Sequence, residues 1–180
     1  MMPSMAFVDP RQVIGALPER PKGTIADFGC GAGYFSVEFA KAVGDEGNVI
    51  ALDVLPSALD AVEGRIKTEG LRNITTKRVN LERANGSGLG PSSVDWVILK
   101  DVLFQNAKKE ILVGEIFRVL RPGGHAIIME WAPVSGGGIG PDQELRVPPE
   151  ALKDLLRKAG FSDVRDLQVG AFHYGFLVTK

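Results

Sequence analysis

Cysteine is almost missing from this chain. One residue in 180, Cys30, is a cysteine, so an internal disulfide framework and a zinc site of several thiolates are both excluded, and no metal is expected. No apolar run approaches the roughly 20 residues needed to cross a bilayer, and the opening "MMPSMAFVDPRQ" lacks the basic segment and long apolar core of a secretory signal. The expected address is the cytoplasm, with no membrane partner. Neither sign of charge dominates: 21 basic against 22 acidic residues leave a net charge of −1. No block of like charge marks a phosphate-tracking surface, so no nucleic-acid partner is indicated. What remains is a hydrophobic share of 44% and a charged share of 24%, the balance of a soluble globular protein. The length fits a single domain, residues 1–180, large enough to cover a parallel sheet on both faces.

Apolar strand-like runs alternate with helical patterns, which predicts an α/β fold around a mainly parallel sheet. After an amphipathic lead-in, "DPRQVIGAL", strands are expected at "TIADFG", "NVIALDV", "ITTKRVN", "VDWVILK" and "HAIIMEW", with helices near 33–43, 56–69 and 107–120. Pro122 should stop the third of these helices, and Gly123-Gly124 should allow the reversal into the next strand. A further helix at about 148–159 precedes two strand-like runs, "FSDVRDLQV" and "FHYGFLVTK", joined so tightly that they should be antiparallel. The glycine-rich segments 82–93 and 135–143 read as mobile loops.

The stretch "ADFGCGAGYFS" places Gly29, Gly31 and Gly33 at the first strand–turn–helix, where doubly wound sheets hold their ligands. Missing Cβ atoms let backbone lie directly against a ligand, and the amides at the following helix face a negative group. The dinucleotide fingerprint G-x-G-x-x-G requires a glycine where this chain has Tyr34. Asp27, just before the first glycine, repels phosphate and suits an ammonium group. Asp53 ends the second strand, where a carboxylate can accept hydrogen bonds from both ribose hydroxyls. An amino-acid end and a nucleoside end together describe S-adenosylmethionine (SAM).

Residues 23–131 resemble the class I SAM-dependent methyltransferases, through "ADFGCGAGYFS", "VIALDV", "RVNLER", "VDWVILKDVLFQ" and "RVLRPGGHAIIMEW" taken in order. The resemblance implies a Rossmann-like three-layer αβα sandwich whose seven-stranded sheet has the order 3-2-1-4-5-7-6, with strand 7 antiparallel. It places Asp27 and the backbone from Gly29 through Cys30 and Gly31 to Gly33 at the methionine end of SAM, Asp53 at the ribose, and Val54 and Leu55 beside the adenine. Asn80 stands where many relatives carry an aspartate that meets the adenine amino group. Leu81 would offer its backbone amide to the ring, and Lys100 its backbone carbonyl to the methionine amine. Tyr34 is expected to touch the SAM carboxylate, and Cys30 to be a small filler.

Methyl transfer from a sulfonium is an in-line displacement, so alignment and exclusion of water can supply most of the acceleration. Two carboxylates, Asp101 and Glu130, are candidates for general-base work or for orienting the acceptor. Gln105, Trp131, Arg146, His173 and Tyr174 are candidates to line an acceptor pocket. The chain reads "KDVLF" after the fourth strand rather than the Asn/Asp-Pro-Pro-Tyr/Phe loop used on base amines and glutamine amides, and it lacks the cysteines of arsenite methylation. A small-molecule acceptor is expected, methylated at oxygen, nitrogen or carbon. The rival readings are a nicotinamide-dependent oxidoreductase and a methyltransferase-like binding protein without turnover.

Overall fold

A computed structural model describes residues 8–133 and 139–180. The elements run α1 (Pro10–Gly15), β1 (Thr24–Phe28), α2 (Tyr34–Val43), β2 (Asn48–Asp53), α3 (Pro56–Glu69), β3 (Ile74–Arg78), β4 (Val94–Lys100), α4 (Lys109–Val119), β5 (Leu120–Trp131), α5 (Pro149–Ala159), β6 (Ser162–Leu167) and β7 (His173–Thr179). Short 3-10 turns at Leu103–Gln105 and Gln143–Leu145 precede α4 and α5. All seven strands form one sheet of order β3-β2-β1-β4-β5-β7-β6. The first five pair in parallel, and β7 runs antiparallel to both β5 and β6. The expected topology is therefore present, closing hairpin included.

Successive strand residues point to opposite faces, and both faces of this sheet are buried, which is why its central strands read as unbroken apolar runs. Ile25, Val49, Ala51, Ile98 and Met129 pack against α1, α2 and α3 through Val13, Phe39 and Val62. Ala26, Phe28, Val97, Leu99 and Ile128 pack on the other side against α4 and α5 through Leu112, Ile116, Leu152 and Leu156. Because the helices after β1 and β2 lie on one face and the helix after β4 on the other, the chain changes direction between β1 and β4. A crevice must open at the carboxyl ends of those two strands.

Two details depart from the sequence reading. β5 begins directly at Leu120, which pairs with Val94, and pairing resumes only at His125 opposite Trp96. Arg121 to Gly124 thus form an irregularity inside the strand, held by the Arg121 to Asp95 ion pair at 2.6 Å and by Gly123 N–H donating to Lys180 O at 2.9 Å. Helix α4 ends before Arg121 because the residue preceding a proline disfavours helical angles. The segment 82–93 is stapled rather than loose. Buried Glu115 of α4 accepts from Ser87 N–H at 3.2 Å and Ser87 Oγ at 2.5 Å, while Arg118 donates to both Glu115 and Leu89 O. Burial acts to raise the Glu115 carboxyl, but Arg118 and Ser87 outweigh it and hold the carboxyl below the usual range. In the other expected loop, residues 135–138 lie outside the described residues.

Candidate functional site

A cleft of about 850 Å³ opens where the fold requires it, over the carboxyl ends of β1, β2 and β4, within the ~300–1,000 Å³ typical of small-molecule sites. Its floor is the turn after β1. Gly29 N–H and Cys30 N–H both donate to Leu52 O, at 2.8 and 3.0 Å, which bends the turn towards β2. Gly31 has φ +50, and a Cβ there would meet nothing within 4 Å, so any side chain at this position would project into the cleft. Gly33 serves another purpose: at φ +78 its missing Cβ would lie 2.7 Å from Val62 Cγ2. It lets the start of α2 press on α3 and does not line the cleft.

Two carboxylates fix this floor. Asp53, 9% exposed, accepts from Leu55 N–H through Oδ1 and from Gly31 N–H through Oδ2, both at 3.0 Å, and so ties the turn after β1 to the turn after β2. Asp27, 3% exposed, accepts from Ser36 Oγ at 2.6 Å. Burial pushes its carboxyl up to about 6; Ser36 and the charge of Lys100 pull it down, and the charge of Asp53 pushes it up. A buried carboxyl of this kind gains from a cation brought beside it. Cys30 lies between them with Sγ 3.7 Å from Gly31 O, and its thiol is raised by burial and then by the charges of Asp27 and Asp53. It stays protonated and is no nucleophile.

The side of the cleft beyond β2 is apolar and open. Val54 and Leu55 are both more than half exposed, and Tyr34 is 60% exposed with the Arg65 guanidinium 3.8 Å above its ring. Arg65 also donates to Ala32 O at 2.8 Å, which fixes the ring and the turn together. Leu81 and Asn80 complete this side, and Asn80 Oδ1 already accepts from Glu82 N–H at 3.0 Å.

At the other end, Lys100, Asp101 and Gln105 line the cleft. Asp101 is one of few non-glycine residues at positive φ, 57°. Its carboxylate pairs with Lys100 Nζ and lies 3.0 Å from His173 Nε2, and its carbonyl accepts from Gln105 Nε2 at 3.2 Å. The remaining expected residues stand behind this wall and do not line the cleft. Glu130 is fully buried, and its Oε1 accepts from Val102 N–H at 3.1 Å and Leu103 N–H at 2.7 Å. Burial pushes its carboxyl up to about 7, the Leu103 amide holds it down, and the charge of Asp101 adds to the rise. It anchors the segment after β4 and does not line the cleft. Arg146 is buried, donates to the carbonyls of Ala132, Ile139 and Pro141, and lies over Trp131. It staples the segment before α5. Trp131 stacks on His173 with ring centroids 4.3 Å apart, and Tyr174 donates to Val147 O at 2.7 Å.

The sequence reading missed part of the lining. Val8 and Pro10 wall the cleft from the segment entering α1, and Asn106 closes the turn after β4. Asn106 Oδ1 accepts from Lys108 N–H at 2.8 Å, a side-chain turn that the "QNAKK" spacing could have signalled.

Comparison with known proteins shows the family of the chain. Residues 19–159 match a protein family described as "Methyltransferase domain". The ubiquinone/menaquinone biosynthesis C-methyltransferase UbiE of Haemophilus ducreyi is 26% identical over 187 residues, a match covering 84% of this chain and 71% of that one. The arsenite methyltransferase of Halobacterium salinarum is 28% identical over 159 residues, covering 87% of this chain but 38% of its relative; UbiE of Pasteurella multocida is likewise covered over only 40% of its length. Among solved structures, a SAM-dependent methyltransferase from Aquifex aeolicus superposes with a TM-score of 0.84 at 23% identity, over 96% of this chain and 89% of that one. The nicotinamide reading falls with this family match, and Tyr34 occupies the place its fingerprint reserves for glycine. Its motifs, its fold and the family match over most of its length agree: the chain belongs to the methyltransferase-domain family and is a class I SAM-dependent methyltransferase.

Proposed function

We propose that the protein methylates a small molecule held at the Asp101 end of the cleft, with SAM held at the Asp27–Asp53 end. The carrying observation is the convergence of Asp27, bare Gly31 backbone, Asp53 and Asp101 on one cleft of about 850 Å³. The donor set matches an amino-acid end and a nucleoside end. Asp27 would meet the ammonium, Gly29 to Gly31 the carboxylate, Asp53 the ribose through its remaining lone pairs, and Val54 and Leu55 the adenine faces. Asn80 and Leu81 would meet the adenine edge. SAM supplies an electrophilic methyl group on a positively charged sulfur. The protein's own part is to hold the acceptor in line, keep water out, and take a proton from the acceptor where it has one to lose. Asp101 is the carboxylate placed for that, and Gln105 and Asn106 are polar groups that can orient the acceptor.

The relatives' names span carbon and arsenic acceptors. A soft trivalent arsenic acceptor suits thiolate ligands, and the one cysteine of this chain is buried and protonated, which favours a carbon, oxygen or nitrogen acceptor. Calorimetry with SAM and with S-adenosylhomocysteine should show binding at micromolar concentrations; absence of both at millimolar concentration would refute the donor site. Methyl-labelled SAM incubated with a fractionated cell extract should label the low-molecular-weight fraction. Label confined to protein or nucleic acid would refute the small acceptor.

A further inference from the structure

We propose that His173 is a positioning residue for methyl transfer: from behind the cleft wall its Nε2–H holds the Asp101 carboxylate towards the acceptor, so a carboxylate backed by an imidazole takes the acceptor's proton. This inference rests on the reading of the Asp101 end as the acceptor site.

Asp101 adopts left-handed backbone, with φ 57°, a conformation that aspartate and asparagine take more readily than other L residues. Here the Asp101 amide donates to Met129 O at 3.0 Å, continuing the β4–β5 ladder, and its carbonyl is held by Gln105. The left-handed turn puts Asp101 off the end of β4, where it both lines the cleft and meets β7.

His173 comes from two strands away, across β5. Its register partner is Trp131, and the ring rests on that indole, locked by Gly140, where a Cβ would come within 2.6 Å of Trp131. Nε2 lies 3.0 and 3.2 Å from the two Asp101 oxygens. The side chain is fully buried, and among the described residues Nδ1 has no partner. That orphan decides the tautomer. A proton on Nδ1 would be a buried donor with nothing to meet, whereas a bare lone pair there costs less. The proton therefore sits on Nε2 and is donated to Asp101. With Lys100 on the same carboxylate, the ring and the ammonium fix its orientation, and the carboxylate of this cleft-lining residue keeps lone pairs to accept a proton.

The step balances as follows. A bond forms between the acceptor atom and the methyl carbon while the methyl–sulfur bond breaks, and sulfur keeps that electron pair. The acceptor's proton passes to an Asp101 oxygen and from there to water. His173 keeps its proton throughout, the reverse of an imidazole base oriented by a buried aspartate.

The test uses His173→Phe, which keeps a ring without a donor, and His173→Gln, whose amide nitrogen can donate from nearly the same place. In protein saturated with S-adenosylhomocysteine, proton–nitrogen NMR should show a downfield, exchange-protected histidine Nε2–H that vanishes in His173→Phe and moves upfield in Asp101→Ala. With methyl-labelled SAM and the low-molecular-weight fraction of a cell extract, His173→Phe should lose at least tenfold in rate. Its half-saturating SAM concentration and S-adenosylhomocysteine affinity should stay within twofold, and His173→Gln should recover to within about threefold of the parent. A His173→Phe rate within twofold of the parent, a Gln variant as impaired as Phe while binding normally, or a ring protonated only on Nδ1 would each overturn the proposal. If the parent itself transfers no methyl group, the functional reading fails, and the NMR signal still decides the His173–Asp101 pair.

Discussion

Replacing Asp53 by asparagine tests the donor end of the cleft more sharply than replacing it by alanine. Both carboxylate oxygens are already engaged, one by Gly31 N–H and one by Leu55 N–H, each at 3.0 Å. An asparagine has one oxygen to offer, so its NH₂ must face one of those two donors, and the isosteric variant should behave nearly as badly as alanine. A hydrogen bond to a charged group contributes roughly 1.5–3 kcal/mol, so losing the ribose contact alone should weaken S-adenosylhomocysteine binding about 10- to 150-fold, at 1.4 kcal/mol per decade. A thermal shift reads this directly. Ligand at 100 times its dissociation constant adds about 2.7 kcal/mol to the stability of the parent, or roughly 5–11 °C at 2–4 °C per kcal/mol for a chain of this size. A variant weakened about 30-fold gains only about 0.9 kcal/mol at the same concentration, roughly 2–4 °C. If Asp53→Asn folds, melts near the parent, and shows the full ligand shift, the carboxylate is not the nucleoside anchor and the assignment of this end of the cleft is wrong.

Gly33→Ala should destabilise the protein by about 2–4 kcal/mol, combining the left-handed backbone with overpacking on Val62; in denaturant melts, Val62→Ala should cost less in that background than alone, and simple additivity would refute the clash. For Asp27, the native carboxyl titrates near 6 against 3.8 when exposed, so the native state binds the extra proton in that window and stability falls as pH rises through it, by about 3 kcal/mol in all. Asp27→Asn should therefore raise the melting temperature of the ligand-free protein at pH 8 while nearly abolishing SAM binding; a lower melting temperature would contradict the burial argument. Glu130→Ala should leave the Val102 and Leu103 amides without their acceptor, at about 1–3 kcal/mol each, and hydrogen exchange should show both losing protection, whereas Glu130→Gln keeps an oxygen for them and should lose little.

The donor end was legible because backbone makes it. A glycine turn after an apolar strand, an aspartate before it and another at the end of the next strand are fixed in space once the strand order is known. The acceptor end depends on where side chains go after the strands finish, and spacing does not say. "HAIIMEW" is apolar on both sides, so nothing in it tells that Glu130 follows Ile128 towards α4 and α5 while Trp131 follows Met129 to the opposite face. Arg146, by sequence a candidate to line the acceptor pocket, turns inward instead to the carbonyls of Ala132, Ile139 and Pro141, which no spacing in the sequence foretells. The 82–93 segment misled for a related reason: its many glycines signal freedom, but Glu115 and Arg118, 28 and 29 residues beyond their partners on the face of a helix, supply the contacts that remove it.

Val102 carries a constraint on any attempt to redesign this protein for another acceptor. Its Cγ2 fills the space that a Cβ on Gly29 would take, at 2.6 Å, and its amide is pinned from beneath by Glu130. A methyl added at position 29 would therefore have to displace Val102, and both residues line the same cleft. Substitutions at the two positions are thus coupled.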